Sequence, residues 1–172
     1  FNDAVRIDPD NFRALYGRGL TLNTLRRFGE AAESLERACE LEPGRANHWH
    51  LLGLARLYNM QPELALKAFE RLLALRPERP DAHSLKGIAL FDLARYDEAL
   101  ASFDLALKID PRADDAWMSR GSSLLKLGRA DEALRSYDRA LSGNPLQPEG
   151  LYNRAEALLV LGRRDEAKQS LQ

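Results

Sequence analysis

Three histidines and one cysteine are the residues of this chain best suited to bind a metal or to act as a nucleophile. His48 and His50 are two positions apart, so on a helix their side chains point about 200° apart and cannot share a metal on one face. His83 takes a position that holds tryptophan elsewhere in the chain, which favours packing. Cys39 has no histidine at a suggestive spacing, and an ordinary buried thiol is the more frequent role. We therefore expect no metal site and no bound cofactor.

Other short patterns that could carry catalysis fit structural roles better. The sequence DEAL occurs at 97–100 and 131–134, and its two acids suit the first turn of a helix because the helix dipole favours negative charge there. The glycines recur at a fixed spacing and do not cluster into a phosphate-binding loop. No serine, histidine and aspartate follow an order that suggests a catalytic triad. We expect the chain itself not to be an enzyme.

The composition indicates a folded protein without a strong electric field. Of the 172 residues, 45% are hydrophobic and 30% are charged, which is enough apolar material for a core. Lys and Arg number 25 against 26 Asp and Glu, so little attracts nucleic acid or an anionic membrane. No apolar run approaches the roughly 20 residues of a membrane span. A single cysteine permits a reducing compartment, and we expect a cytoplasmic location.

The elements that must position these residues recur every 34 residues. Prolines mark the period at Pro9, Pro43, Pro77, Pro111 and Pro145. Glycines follow it at Gly19, Gly53, Gly87 and Gly121, with Ala155 in the fifth place. Alanines follow it without a break at Ala31, Ala65, Ala99, Ala133 and Ala167. Internal periodicity of this kind predicts a solenoid built from one supersecondary unit.

The pattern within one period predicts two helices joined by a turn. Between residues 114 and 145, apolar residues recur three or four positions apart in two runs, which is the spacing of amphipathic helices. Gly128 is expected to end the first helix and Pro145 to stop the second. Gly121 is expected where the two helices cross, since close crossings need small side chains.

The sequence AW..RG..L..LGR.DEAL.SYDRAL..NP at 116–145 resembles a tetratricopeptide repeat. This resemblance implies an all-α fold, a right-handed superhelical solenoid of antiparallel helix pairs. It also implies a role in binding a peptide or a partner helix along the concave face. The resemblance covers the whole chain, which we interpret as a single repeat array.

The period divides this array into a half repeat, four full repeats and an incomplete one. The corresponding residues are 1–11, then 12–45, 46–79, 80–113 and 114–147, and finally 148–172. We interpret the chain as a fragment of a longer one. Because no polar capping helix is recognisable, we expect apolar residues to be poorly covered at the ends and to permit end-to-end self-association. These residues are Phe1, Phe12, Leu15, Leu158, Leu161 and Leu171.

Neither of two binding signatures known in the family is complete here. A carboxylate clamp would use residues such as Asn153 and Arg154, but Met118 and Ser122 stand where the preceding helix needs lysine and asparagine. An asparagine ladder would require asparagine at Gly17, Leu51, Leu85, Ser119 and Asn153, and only the last one fits.

The first helices of the repeats should nevertheless present one set of residues to the concave face. By repeat phase these are Tyr16, Leu20, His50, Leu54, Tyr58, Ser84, Ile88, Asp92, Met118, Ser122, Lys126, Tyr152 and Glu156. The first half of the set is aromatic and aliphatic, and the second half is more polar. This predicts an apolar recognition strip, and the alternative is an ordinary solvent-facing surface that tolerates apolar residues.

The sequence therefore favours a non-enzymatic scaffold that binds a protein or peptide ligand, and it predicts neither a nucleic acid nor a membrane as partner. One alternative is a substrate-recruiting arm of an enzyme whose catalytic domain lies outside this chain. Another is a module that associates with itself through its ends.

Charged residues also follow the period and predict a row of ion pairs between repeats. Basic residues share one position of the first helices, at Arg18, Lys86, Arg120 and Arg154, with Leu52 as the exception. Acidic residues share one position of the second helices, at Glu36, Glu70, Asp104 and Asp138. We expect each acid to pair with the base of the following repeat. The second repeat departs most from the pattern, through Arg56, Pro62 and Leu72, and predicts an altered twist where it meets the third.

Overall fold

The computed structural model covers residues 1–172, with Asn2 described by its backbone alone. The described residues form eleven α-helices and no strand, as the predicted all-α class requires. The helices are α1 (Asn2–Ile7), α2 (Phe12–Thr24), α3 (Phe28–Leu41), α4 (Ala46–Tyr58), α5 (Pro62–Leu75), α6 (Pro80–Asp92), α7 (Tyr96–Ile109), α8 (Asp114–Lys126), α9 (Ala130–Leu141), α10 (Pro148–Val160) and α11 (Arg164–Ser170).

Every first helix ends in the same left-handed turn. The residues with positive φ are Arg26 at 58°, Met60 at 57°, Ala94 at 56°, Gly128 at 74° and Gly162 at 76°. In each turn the N–H of the next residue donates to a carbonyl near the end of the helix, as Arg129 does to Leu124 at 2.9 Å. The prediction that Gly128 ends a helix is confirmed. The first three turns adopt this backbone without glycine, which is the residue that favours it.

A glycine in the first helix and a ring in the second bring the helices of the central repeats together. A Cβ atom on Gly53 would lie 2.3 Å from the Phe69 ring, and one on Gly121 would lie 2.5 Å from the Tyr137 ring. Phe69 is completely buried and Tyr137 is 1% exposed. The ring therefore fills the space that a side chain at the glycine position would need. The sequence predicts such a close helix crossing at Gly121.

The residues form two compact units, Phe1–Ala82 and His83–Gln172. Helix α6 begins in the first unit and continues in the second. In the first unit α2 packs on α3 and α4 on α5; in the second α8 packs on α9 and α10 on α11. The superhelical handedness, the repeat boundaries and the altered twist after the second repeat stay predictions.

The predicted ion pairs between successive repeats are confirmed in the second unit. Arg120 Nε donates to Asp104 Oδ1 at 2.7 Å, and Arg154 Nε donates to Asp138 Oδ1 at 2.6 Å. The Arg120 guanidinium also donates to the Ser136 hydroxyl at 2.7 Å. Arg120 therefore joins the second helix of its own repeat to that of the preceding one.

The first unit makes the corresponding ion pair with a residue that the period does not predict. Leu52 occupies the arginine position, but Arg56, one turn later on α4, reaches Glu36 Oε2 with its Nη2 at 2.6 Å. Only 13% of the Arg56 side chain is exposed. The departure from the pattern at Arg56 thus supplies the ion pair that Leu52 cannot make.

The expectation of bare apolar ends is partly wrong. Phe1 and Leu171 are exposed, but Leu15 is only 4% exposed and Leu158 is completely buried. Leu158 lies in a core cluster with Ala157 and Ala167, because α10 packs against both α9 and α11. Phe12 and Leu161 are half-buried.

Candidate functional site

The aromatic and aliphatic part of the predicted strip lies on α2 and α4 of the first unit. The Tyr16 ring stacks on His48 with 4.8 Å between centroids, which joins the two helices. His50, Leu54 and Tyr58 are spaced four residues apart, so they share one face of α4. His50 and Leu54 are half-buried, and Leu20 on α2 is exposed.

Tyr58 is the most exposed ring of this group, with 59% of its surface accessible. One side of the ring stacks on Phe28 at the start of α3, with 5.1 Å between centroids. The ring is thus held in place and still offers apolar surface and a hydroxyl to solvent. An aromatic residue in this state loses little freedom when a ligand packs on it.

His50 lies beside a charged pair at the end of the same unit. Its Nε2 is 3.8 Å from Asp81 Oδ2, and Asp81 also accepts from Arg79. Burial lowers the pKa of His50, the charge of Arg79 lowers it further, and Asp81 opposes both. The net effect favours the neutral form of the His50 ring, because its pKa lies below the usual value.

The predicted residues of the second unit have varied surroundings. Ile88 and Ser122 line a small cleft of about 290 Å³ together with Phe91, Phe103 and Ser119. Ser84 is half-buried, and the exposed positions are Asp92, Lys126, Tyr152 and Glu156. Met118 is only 7% exposed and belongs to the core beside Gly150, so it contributes packing and little accessible surface.

A cleft of about 760 Å³ at the start of α2 and α4 is absent from the sequence-based prediction. Its lining residues are Phe12, Arg13, Tyr16, Gly44, Arg45, Ala46, Asn47, His48, Arg76 and Arg79. Four of these are arginines. The sequence feature that could have indicated this cleft is the pair Arg45 and Arg79, which are one period apart in the loops before two first helices.

Two of the four residues best suited to chemistry, Cys39 and His48, are buried, and His50 and His83 are half-buried. Cys39 is 1% exposed, and burial raises the pKa of its thiol to about 12. His48 is 5% exposed, and burial lowers the pKa of its ring. Among the described residues, no three histidine, cysteine or acidic side chains are grouped to hold a metal ion. Within the described part of the chain, no helix has the length and apolar character to cross a membrane.

The model of the tetratricopeptide repeat family matches residues 1–46, 50–114 and 118–172. The chain belongs to the tetratricopeptide repeat (TPR) family. Arrays of TPRs are protein-interaction scaffolds, and the membership supports that role here. No curated protein matches the chain in sequence.

Solved TPR structures share this fold at low sequence identity. MamA from Desulfovibrio magneticus RS-1 superposes with a TM-score of 0.87 at 16% identity, over 94% of this chain and 91% of that one. YrrB, described as a TPR protein with an unusual peptide-binding site, has a TM-score of 0.78 at 20% identity, over 98% and 87%. PilF of Pseudomonas aeruginosa has a TM-score of 0.79 at 22% identity, over 92% and 72%.

Proposed function

We propose that this TPR array is a non-enzymatic scaffold that binds a peptide or a helix of another protein along its first helices. The observation that carries the proposal is Tyr58, a ring stacked on Phe28 yet 59% exposed. Aromatic residues that offer rigid apolar surface supply much of the energy at protein interfaces. The family membership supports a protein partner, and the likeness to YrrB, a TPR protein with a peptide-binding site, supports a peptide as ligand.

The arrangement of the α4 residues suits an elongated ligand. His50 and Tyr58, with Leu54 between them, are eight residue steps apart on the helix, or about 12 Å at 1.5 Å per step. Leu20 and Tyr16 lie on α2, which packs against α4. A strip of this kind fits an extended segment or an amphipathic helix with leucine- or phenylalanine-like anchors better than a compact metabolite.

The test is a titration with a peptide selected from a displayed random library against the chain. We expect Tyr58→Ala to weaken binding by about 1–2 kcal/mol, or roughly 5- to 30-fold in Kd, because it removes an anchoring ring. Leu54→Ser should weaken it in the same direction. The helical circular dichroism of both variants should match that of the parent chain.

The matched control is Leu146→Ala, which removes an apolar side chain that is 81% exposed in the loop before α10. This change should leave the Kd within about twofold. If Tyr58→Ala and Leu54→Ser both leave the affinity unchanged, the first helices of the first unit are not the binding surface.

The alternative proposals are an arm that recruits substrates to an enzyme and a module that associates with itself. A cytoplasmic location and partners other than nucleic acid are further parts of the proposal. The exposed Phe1 and Leu171 are the remaining support for association through the ends.

A further inference from the structure

We propose that the cleft lined by Arg13, Arg45, Arg76 and Arg79 binds an acidic peptide segment through at least two of its side-chain carboxylates. This site adds a second recognition chemistry to the array. It shares Tyr16 with the apolar strip, but the proposal does not depend on that strip. Tyr58, the main anchor proposed there, lies at the opposite end of α4 from the cleft.

Three segments of the first unit form the cleft. The start of α2 contributes Phe12 and Arg13, and the loop before α4 contributes Arg45. The loop between α5 and α6 contributes Arg76 and Arg79. The volume of about 760 Å³ is large enough for several side chains of a peptide.

The cleft carries an excess of positive charge. Arg45 Nε is 3.6 Å from Glu42 Oε2, and Arg79 donates to Asp81 through Nε and Nη2. Arg13 and Arg76 make no ion pair with any described residue. Four guanidinium groups therefore face two carboxylates, and two positive charges are left without compensation.

An aromatic ring holds two of the guanidinium groups. The Cζ atoms of Arg13 and Arg45 lie 5.7 Å and 5.3 Å from the centroid of the Phe12 ring. Cation–π contact restricts the guanidinium planes and leaves their N–H groups free to donate. A guanidinium group donates to a carboxylate through two parallel hydrogen bonds, which makes carboxylates suitable ligands for this pair.

An open helix terminus indicates that the ligand also offers hydrogen-bond acceptors. His48 lines the cleft as a packed ring, because it is 5% exposed and its Nδ1 is too buried for a ligand to reach. Helix α4 has no acidic residue in its first turn and no capping side chain, so the N–H groups of Ala46 and Asn47 remain available, whereas that of His48 donates to the Arg45 carbonyl at 3.0 Å. A peptide has C=O groups for these two N–H groups as well as carboxylates for the arginines.

The test measures fluorescence anisotropy of a fluorescein-labelled hexaglutamate peptide titrated with the 172-residue chain. We expect saturable binding that hexaglutamine does not compete for. The variant Arg13→Gln/Arg76→Gln should weaken it at least about tenfold, because both uncompensated guanidinium groups are removed. The control variant Arg112→Gln/Arg164→Gln makes the same change in net charge at two exposed arginines of the second unit and should stay within about twofold.

A second measurement on the unmodified chain locates the peptide without any variant. The backbone amide resonances of Ala46, Asn47 and His48 should shift on addition of hexaglutamate. Equal weakening by both double variants, or shifts confined to the second unit, would show diffuse charge attraction and overturn the proposal. A phosphoserine peptide of equal net charge that binds more than about tenfold tighter would overturn the assignment of carboxylates as the ligand groups.

Tyr58→Ala distinguishes the two sites. It should leave hexaglutamate binding unchanged, and a loss comparable to that of Arg13→Gln/Arg76→Gln would contradict a separate acidic-peptide cleft.

Discussion

In each central repeat one glycine faces an aromatic ring, and its replacement should have the largest effect on the free energy of unfolding. We expect Gly53→Ala to lower the free energy of unfolding by about 1–2 kcal/mol. The added methyl group would need space that the completely buried Phe69 ring occupies, and overpacking of this kind costs about 1–3 kcal/mol. The gain in helix propensity, about 1 kcal/mol, offsets only part of that cost. Urea denaturation followed by circular dichroism measures the difference.

The control is Gly29→Ala near the start of α3, where the nearest atom to an added Cβ is an Asn59 side-chain oxygen at 3.7 Å. This change should be neutral or stabilising. Gly53→Ala combined with Phe69→Ala should recover stability relative to the sum of the single changes, because the second change removes the ring atoms that the added Cβ would meet. If the effects of the two single changes on stability simply add, the ring is not the reason that position 53 is glycine.

At the scale of helices, the ion pair between Arg56 and Glu36 joins α4 to α3. We expect Arg56→Met to lower the free energy of unfolding by about 1–2 kcal/mol. The guanidinium group is mostly buried and Glu36 is about half exposed, so the pair should contribute more than a fully exposed one. A double-mutant cycle with Glu36→Gln, measured by urea denaturation, isolates the interaction between the two side chains.

The matched cycle in the second unit combines Arg120→Met with Asp104→Asn. Because the Arg120 side chain is 20% exposed, it should give a coupling of the same sign and similar size. A coupling energy near zero for Arg56 and Glu36, with a clear one for Arg120 and Asp104, would contradict the view that Arg56 replaces the missing pair.

At the scale of the whole chain, four repeated arginine–glutamate pairs predict a loss of stability in acid. They are Arg27–Glu30, Arg95–Glu98, Arg129–Glu132 and Arg163–Glu166. The hydrogen bond from each arginine lowers the pKa of its glutamate below the usual 4.5. Because these pKa values are lowered by folding, the stabilisation is present above pH 4.5 and is lost as the pH falls through the folded values.

Melting temperatures at about pH 7, 5 and 3.5 measure this loss. We expect most of the decrease between the two lower pH values. Replacing all four glutamates with glutamine should flatten that part of the profile and lower the melting temperature at neutral pH. A profile of the same steepness in the fourfold variant would place the acid sensitivity in other carboxylates.

The period predicted the helix pairs and the ion pair of Arg120 with Asp104, because each depends on residues that repeat in register. It did not predict Arg56 as the partner of Glu36, since that pair uses a position one turn away from the repeated one. The basic cleft escaped prediction for a related reason. Its arginines come from two loops and the start of α2, and only Arg45 and Arg79 are one period apart. Leu158 was predicted exposed because sequence position does not reveal how fully α11 covers α10.

The left-handed turns show which interactions determine the shape of a repeat. Arg26, Met60 and Ala94 occupy the same position of the first three turns, and their φ values of 58°, 57° and 56° lie within two degrees of one another. Side chains so different share no local preference for that conformation, so the flanking helices impose it. Two features thus produce the turn. Glycine favours it in the last two repeats, and the packing of the flanking helices produces it in every repeat. A family resemblance measured residue by residue will therefore underestimate how alike such repeats are in three dimensions.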